Sequence, residues 1–198
     1  MTTSLTRPAR SGPFRVLAIS GSLRAVSSNS VTLEAARILS PPDLEIVPYL
    51  GMAELPHFNP DLDTDSSRPE PVRALRAAVA AADALLISSP EYAHGVPGSL
   101  KNALDWLVSG LEFPAILIAL LNPSPRSTHA HAALVETMTT MSGVVVTEAS
   151  VAIPLSGRRL SPGELLEDPT LAQPLRQALQ ALHQALGSAR LADRRLVP

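Results

Sequence analysis

Residues 15–29 read Arg15-Val-Leu-Ala-Ile-Ser-Gly-Ser-Leu-Arg-Ala-Val-Ser-Ser-Asn29, and the fold turns on this stretch. The run from Val16 to Ile19 is continuously apolar, as expected of a strand covered on both faces. Ser20 and Gly21 end it. A cluster of hydroxyls then leads into a helical pattern with Val31, Ala35, Ile38 and Leu39 at helical spacing. A buried strand that passes through a tight polar turn into a helix is the opening half of a βαβ unit.

The same alternation continues along the chain. Pro41-Pro42 stops the first helix. Leu44–Val47 is a short second strand whose alternation and following Pro48 suit a sheet edge. Residues 51–70 form a long loop rich in Asp and Pro, a length more typical of functional or interfacial segments. A helix is expected over 71–82, with Val72, Leu75, Val79 and Ala82 on one face. The third strand, Ala84–Ile87, is wholly apolar. Pro97 opens a helix expected to reach Ser109, with Leu100, Leu104, Leu107 and Leu111 inward. Ala115–Leu121 is the fourth strand, and a helix follows from Thr128 to Met141. Val144–Val146 and Val151–Ile153 form a fifth strand region, and Leu171–Leu186 a final helix.

Strands separated by helices pair in parallel through right-handed crossovers. The expectation is an α/β fold: a flavodoxin-like three-layer sandwich on a five-stranded parallel sheet, with 2-1-3-4-5 the expected order, which alternation by itself does not fix. One domain spans residues 14–190, with tails at 1–13 and 191–198. In such sheets ligands bind beyond the carboxyl ends of the strands, at the switch point between strands one and three.

Composition removes several classes of function. The chain of 198 residues has a formal net charge of −2, which offers no nucleic-acid surface and no polybasic membrane patch. It contains no cysteine, so disulfides, thiolate metal sites and a thiol nucleophile are excluded. No apolar run approaches a membrane span, the start lacks an apolar signal core, and a cytoplasmic location fits.

Both loops at the switch point are unusual. The first, Ser20 to Asn29, gathers hydroxyls, Arg24 and an amide at a helix N-terminus, where backbone N–H groups and the helix dipole favour an anion. It is neither a Walker loop nor G-x-G-x-x-G. A helix cap from Ser27 or Ser28 would use one hydroxyl and leave the rest of the cluster unexplained. The second loop, Ser89-Pro-Glu-Tyr-Ala-His-Gly-Val-Pro-Gly98, has a rigid backbone able to offer N–H donors to a planar heterocycle. Tyr92 and His94 are placed to stack or hydrogen-bond, whereas Glu91 has a simpler role available in pairing with an arginine. Trp106 reads as core or subunit interface, and Lys101, Asn102 and Asp105 as a solvated helix face.

Gly21-Ser-Leu-Arg24 with Ser27-Ser-Asn29 resembles the phosphate motif of the NADPH-dependent FMN reductase family. Pro90-Glu-Tyr-Ala-His-Gly-Val-Pro-Gly98 with Leu100-Lys-Asn-Ala-Leu-Asp-Trp106 resembles its flavin-ring motif. The likeness covers roughly residues 15–190. It implies that Ser20, Ser22, Arg24, Ser27 and Asn29 hold the FMN phosphate, and that Pro90, Glu91, Tyr92, Ala93, His94 and Gly95 face the isoalloxazine ring. It further implies NADPH or NADH as co-substrate and a homodimer or homotetramer. The acceptor would be small: a quinone, azo compound, metal oxyanion or free flavin. A flavodoxin-type electron carrier and a non-catalytic FMN-binding protein are the alternatives.

The chain departs from the family at Asn122-Pro-Ser-Pro-Arg-Ser-Thr-His-Ala-His131, where a Gly-Gly-rich loop is usual. Arg126 there suits either a nucleotide phosphate or solvent. His129 and His131 diverge on a helix and make a poor metal pair. Hydride transfer between nicotinamide and flavin needs no protein acid or base, so no catalytic residue is assigned. His94 is the candidate proton donor to a bound quinone.

Overall fold

In the computed structural model, which describes residues 12–155 and 157–196, the apolar runs become one parallel sheet. The strands are β1 (Phe14–Ser20), β2 (Leu44–Pro48), β3 (Ala84–Ser88), β4 (Leu117–Asn122), β5 (Val144–Val145) and β6 (Val151–Ala152). Their order is β2-β1-β3-β4-β5, as the sequence predicts, with β6 also pairing with β4. The expected fifth strand is thus two short pieces, separated by a 3₁₀ turn at Thr147–Ala149. The helices are α1 (Ser28–Leu39), α2 (Glu70–Ala80), α3 (Gly98–Asp105), α4 (Thr128–Thr140), α5 (Pro162–Glu167) and α6 (Pro169–Leu196).

Successive strand residues point to opposite faces, so the sheet carries two cores. Val16, Ala18, Leu86 and Leu121 pack with Val31 and Ala35 of α1 and with Leu175, Leu179 and Leu182 of α6. Leu17, Ile19, Leu85 and Ile87 pack with Val72 and Leu75 of α2, Leu104 of α3 and Met138 of α4. Every residue of β3 is buried, and this strand is the spine of both cores.

Several expected faces differ. The buried side of α1 is centred on Thr32, Ala35 and Ala36, which turns Ile38 outward at 53% exposure. The chain leaves α3 at Asp105, short of the expected Ser109, so Leu111 is off the helix and 79% exposed. The final helix continues through residues 191–196, expected as tail, because no glycine or proline after Gly187 interrupts its Ala, Arg and Leu. Arg190 joins this helix to the start of β1, with its guanidinium 3.6 Å over the Phe14 ring and Nη1 donating to Gly12 O at 2.9 Å. Of the expected N-terminal tail, residues 1–11 lie outside the described residues. Among the described residues no helix is long and apolar enough to cross a membrane.

The long loop at 51–70 is firmly held. Trp106 is fully buried and donates from Nε1 to Pro56 O at 2.8 Å, while the Phe58 ring meets it edge-on at 5.0 Å. Asn102, expected in solvent, clamps the same loop: Nδ2 donates to Pro56 O at 3.0 Å, and Oδ1 accepts from Phe58 N at 2.8 Å. Further along, Asp63 receives Arg68 Nε at 3.0 Å, Arg76 Nη1 at 3.4 Å and the Ser109 hydroxyl. Arg76 in turn pairs with Glu112 at 2.6 Å.

Burial pushes the Asp63 carboxyl up, but the Ser109 hydroxyl and the guanidinium groups of Arg68 and Arg76 outweigh it and hold the group below its ordinary range. A lowered folded value makes the contribution complete above the unfolded carboxyl's range near pH ~4, and it is lost as pH falls through the folded value. Asp63→Asn is therefore expected to lower stability at neutral pH by about 2 kcal/mol and to flatten its decline in acid. Urea unfolding across the acid range checks this, and equal acid sensitivity in both proteins would remove Asp63 from that role.

Candidate cofactor site

The carboxyl ends of β1 and β3 lie side by side, with Ser20 in register with Ser88. The turns leaving them are locked together. Gly21 N donates to Ser88 O at 2.8 Å. A Cβ at Gly21 would stand 2.7 Å from Ser89 Oγ and 3.2 Å from Leu100 Cδ2, so a larger residue there requires those side chains to shift. Below them the buried Ser88 hydroxyl donates to Oδ1 of buried Asn29 at 3.0 Å, which ties α1 to β3. Ser88 was not among the expected site residues; a hydroxyl closing an otherwise apolar strand was its only signal.

The first loop divides its polar groups between structure and ligand. Ser27 caps α1 in a reciprocal capping box: its Oγ accepts from Ser30 N at 3.0 Å, and its own N–H donates to Ser30 Oγ at 2.9 Å. The cap foreseen for Ser27 or Ser28 thus falls to Ser27. Ser20 Oγ shapes the turn by donating to Ser22 O at 3.1 Å and accepting from Ser22 N at 3.2 Å. Ser22 Oγ accepts from Arg24 N at 3.3 Å. Within the described residues the backbone amides of Leu23, Ala25, Val26, Ser28 and Asn29 meet no acceptor, and neither does Asn29 Nδ2. The Arg24 side chain is exposed and pairs with no carboxylate among them. Open amides, an exposed guanidinium and a helix N-terminus are groups whose chemistry suits an anion.

The second loop is a tight hairpin. Tyr92 N donates to Gly95 O at 3.1 Å, and Gly95 N to Tyr92 O at 2.9 Å. Between them Ala93 and His94 both have positive φ, at 48° and 59°. Such a turn ordinarily holds Asn and Gly. Left-handed Ala and His cost on the order of 1–2 kcal/mol each, and strain of this kind gathers at functional sites. The turn leaves the amides of Ala93, His94 and Val96 without an acceptor within the described residues. Tyr92 is 58% exposed.

The third loop, between β4 and α4, is bound into the site by Glu91. α4 has no cap from its own Ser127, and Glu91 Oε2 accepts from Ala130 N at 2.9 Å in its place. The expected arginine partner of Glu91 is replaced by a helix N-terminus, where a carboxylate is stabilised by the dipole. Asn122 shapes this loop from the end of β4, accepting from Ser124 N at 3.0 Å and donating to Ser127 O at 3.2 Å. His129, on the first turn of α4, stacks on His94 with centroids 4.4 Å apart and planes 8° apart. The divergence of His129 from His131 on the helix is thus what frees His129 to reach the neighbouring loop. No group of three metal-ligating side chains occurs among the described residues.

A model of the NADPH-dependent FMN reductase family matches residues 14–157. A probable NADPH:quinone oxidoreductase of Oryza sativa is 43% identical over 95 residues, 47% of either chain. A quinone reductase of Escherichia coli is 34% identical over 94 residues, covering 48% of this chain and 50% of that protein. The chain therefore aligns with about half the length of such relatives. The structure of the Paracoccus denitrificans flavoenzyme FerB, an NAD(P)H:(acceptor) oxidoreductase, is 26% identical with a TM-score of 0.78, covering 89% of this chain and 98% of that one.

Glu91→Ala is expected to cost about 1 kcal/mol through the lost cap. It should also speed hydrogen exchange at Ala130 while leaving that at Val31, the first amide of α1 with a backbone partner, unchanged. Unchanged exchange at Ala130 would show that α4 does not depend on this carboxylate.

Proposed function

The chain belongs to the NADPH-dependent FMN reductase family, and on that premise we propose that it binds FMN and carries electrons from NAD(P)H to a small acceptor, a quinone foremost. The observation that carries the proposal is the meeting of two ligand-ready loops at the switch point of the sheet. One offers open amides and Arg24, and the other a strained hairpin with exposed Tyr92. The quinone acceptor is supported by the printed activities of relatives from rice and Escherichia coli.

The residues present fit the cofactor. Ser22, Arg24, Asn29 Nδ2 and the free amides at the start of α1 would hold the phosphate, with Ser20 and Ser27 setting the backbone that presents them. Pro90 to Gly95 would face the ring, with the Ala93 and His94 amides and the Tyr92 side chain nearest and Glu91 holding the loop against α4. Bound there, FMN supplies the two-electron chemistry, and the chain supplies position and hydrogen-bond donors. The proposal extends to a homodimer or homotetramer working in the cytoplasm.

The purified protein is expected to show a flavin visible spectrum that bleaches when NADPH is added without oxygen. A flavin that stays oxidised with both NADPH and NADH would indicate an electron carrier, and no flavin even after added FMN would defeat the reading. A quinone that accepts two electrons also takes up protons, and His94 is the proposed donor. His94→Ala is then expected to slow quinone turnover about tenfold with FMN affinity retained, and unchanged turnover would remove His94 from this role.

A further inference from the structure

A cleft of about 530 Å³ opens between the first loop and the segment after β6. Arg24, Ser27 and Ser28 form one wall, and Arg158, Arg159 and Ser161 the other. Buried Val31 and Leu155 also line it. No carboxylate lines the cleft among the described residues. Arg158 is compensated by Asp168, whose Oδ2 lies 2.8 Å from Nη1. The nearby Glu164 is occupied in capping α5, accepting from Ser161 N at 2.7 Å. Neither Arg24 nor Arg159 has an acidic partner among the described residues.

Three exposed guanidinium groups line one cleft, two of them without a carboxylate partner among the described residues, and together they give it a positive potential that favours an anion. Their planar forks match the oxygens of a phosphate, and the serine hydroxyls add neutral donors. A cleft of this volume lies within the usual range for small-molecule sites, about 300–1,000 Å³, so it has room for more than the anion alone. We infer that Arg158 and Arg159 complete a phosphate-monoester subsite that begins at Arg24 and the N-terminus of α1. The inference rests on the function proposed above and adds residues more than a hundred positions beyond the loop that shows the phosphate motif. Two ligands of that reading carry the required chemistry: the terminal phosphate of FMN and the 2′-phosphate that distinguishes NADPH from NADH.

The test compares wild type with Arg159→Ala and with the Arg158→Ala/Arg159→Ala double variant. One arm titrates FMN and riboflavin into the flavin-free chain by fluorescence. The other measures kcat/KM with NADPH and with NADH on the flavin-loaded enzyme. A fall of about tenfold in FMN-over-riboflavin affinity supports the subsite and assigns it to the cofactor. A similar fall in NADPH-over-NADH selectivity supports it and assigns it to the dinucleotide. Arg159 has no hydrogen-bond or ion-pair partner among the described residues, so its single variant keeps the test valid if the double variant misfolds. Both ratios staying within twofold of wild type in a folded, flavin-binding protein would overturn the inference alone. A wild-type protein that binds neither FMN nor NADPH would overturn the functional reading beneath it.

Discussion

The closeness of β1 and β3 at their carboxyl ends governs the candidate site. Gly21 N reaches Ser88 O, and the missing side chain of Gly21 leaves room for Ser89. One layer down, Ser88 Oγ reaches Asn29 Oδ1. Both groups of that second bond are buried, where an unpaired donor or acceptor costs about 1–3 kcal/mol. The bond therefore fixes where α1 begins relative to β3. The amides that point away from α1, and the hairpin that leaves β3, inherit their positions from this seam.

The third loop reaches the site by a different device. Glu91 belongs to the second loop but caps the helix that follows the third, and the His94 and His129 rings stack across the same junction. Both contacts bear on the strained hairpin at Ala93 and His94, and they offset part of the cost of its left-handed backbone. Where family members use a Gly-Gly-rich loop, this chain has one stiffened by Pro123 and Pro125 and tied down through Asn122. The junction of the second and third loops is accordingly built from side-chain contacts.

The polar residues of the first loop have separate duties. Ser27 and Ser20 are spent within the protein, one as a helix cap and the other in the turn. Arg24 and the open amides have no partner among the described residues, and on the proposed reading they serve an anion. Sequence spacing marked the cluster as a whole but held no sign of this division, because a serine in a capping box and a serine facing a phosphate look alike in one dimension. The same holds for Asn102, which read as surface and instead holds a loop more than forty residues away.

The alternation of strands and helices, and the covering of the sheet on both faces, were legible in the sequence, and the folded chain has the expected strand order. Continuous apolar strands, helical periodicity and glycine-containing turns are local properties, and handed crossovers convert them into one topology. The family was equally legible, since the two motifs that resemble it occupy contiguous segments within residues 14–157. Tertiary structure decided what joins distant segments: Ser88 to Asn29, Glu91 to the start of α4, His94 to His129, and Arg158 and Arg159 to the wall opposite Arg24. It also decided which way Ile38 faces and where α3 and α6 end. These depend on the distance and orientation of groups brought together by the folded backbone, and a linear pattern holds neither quantity.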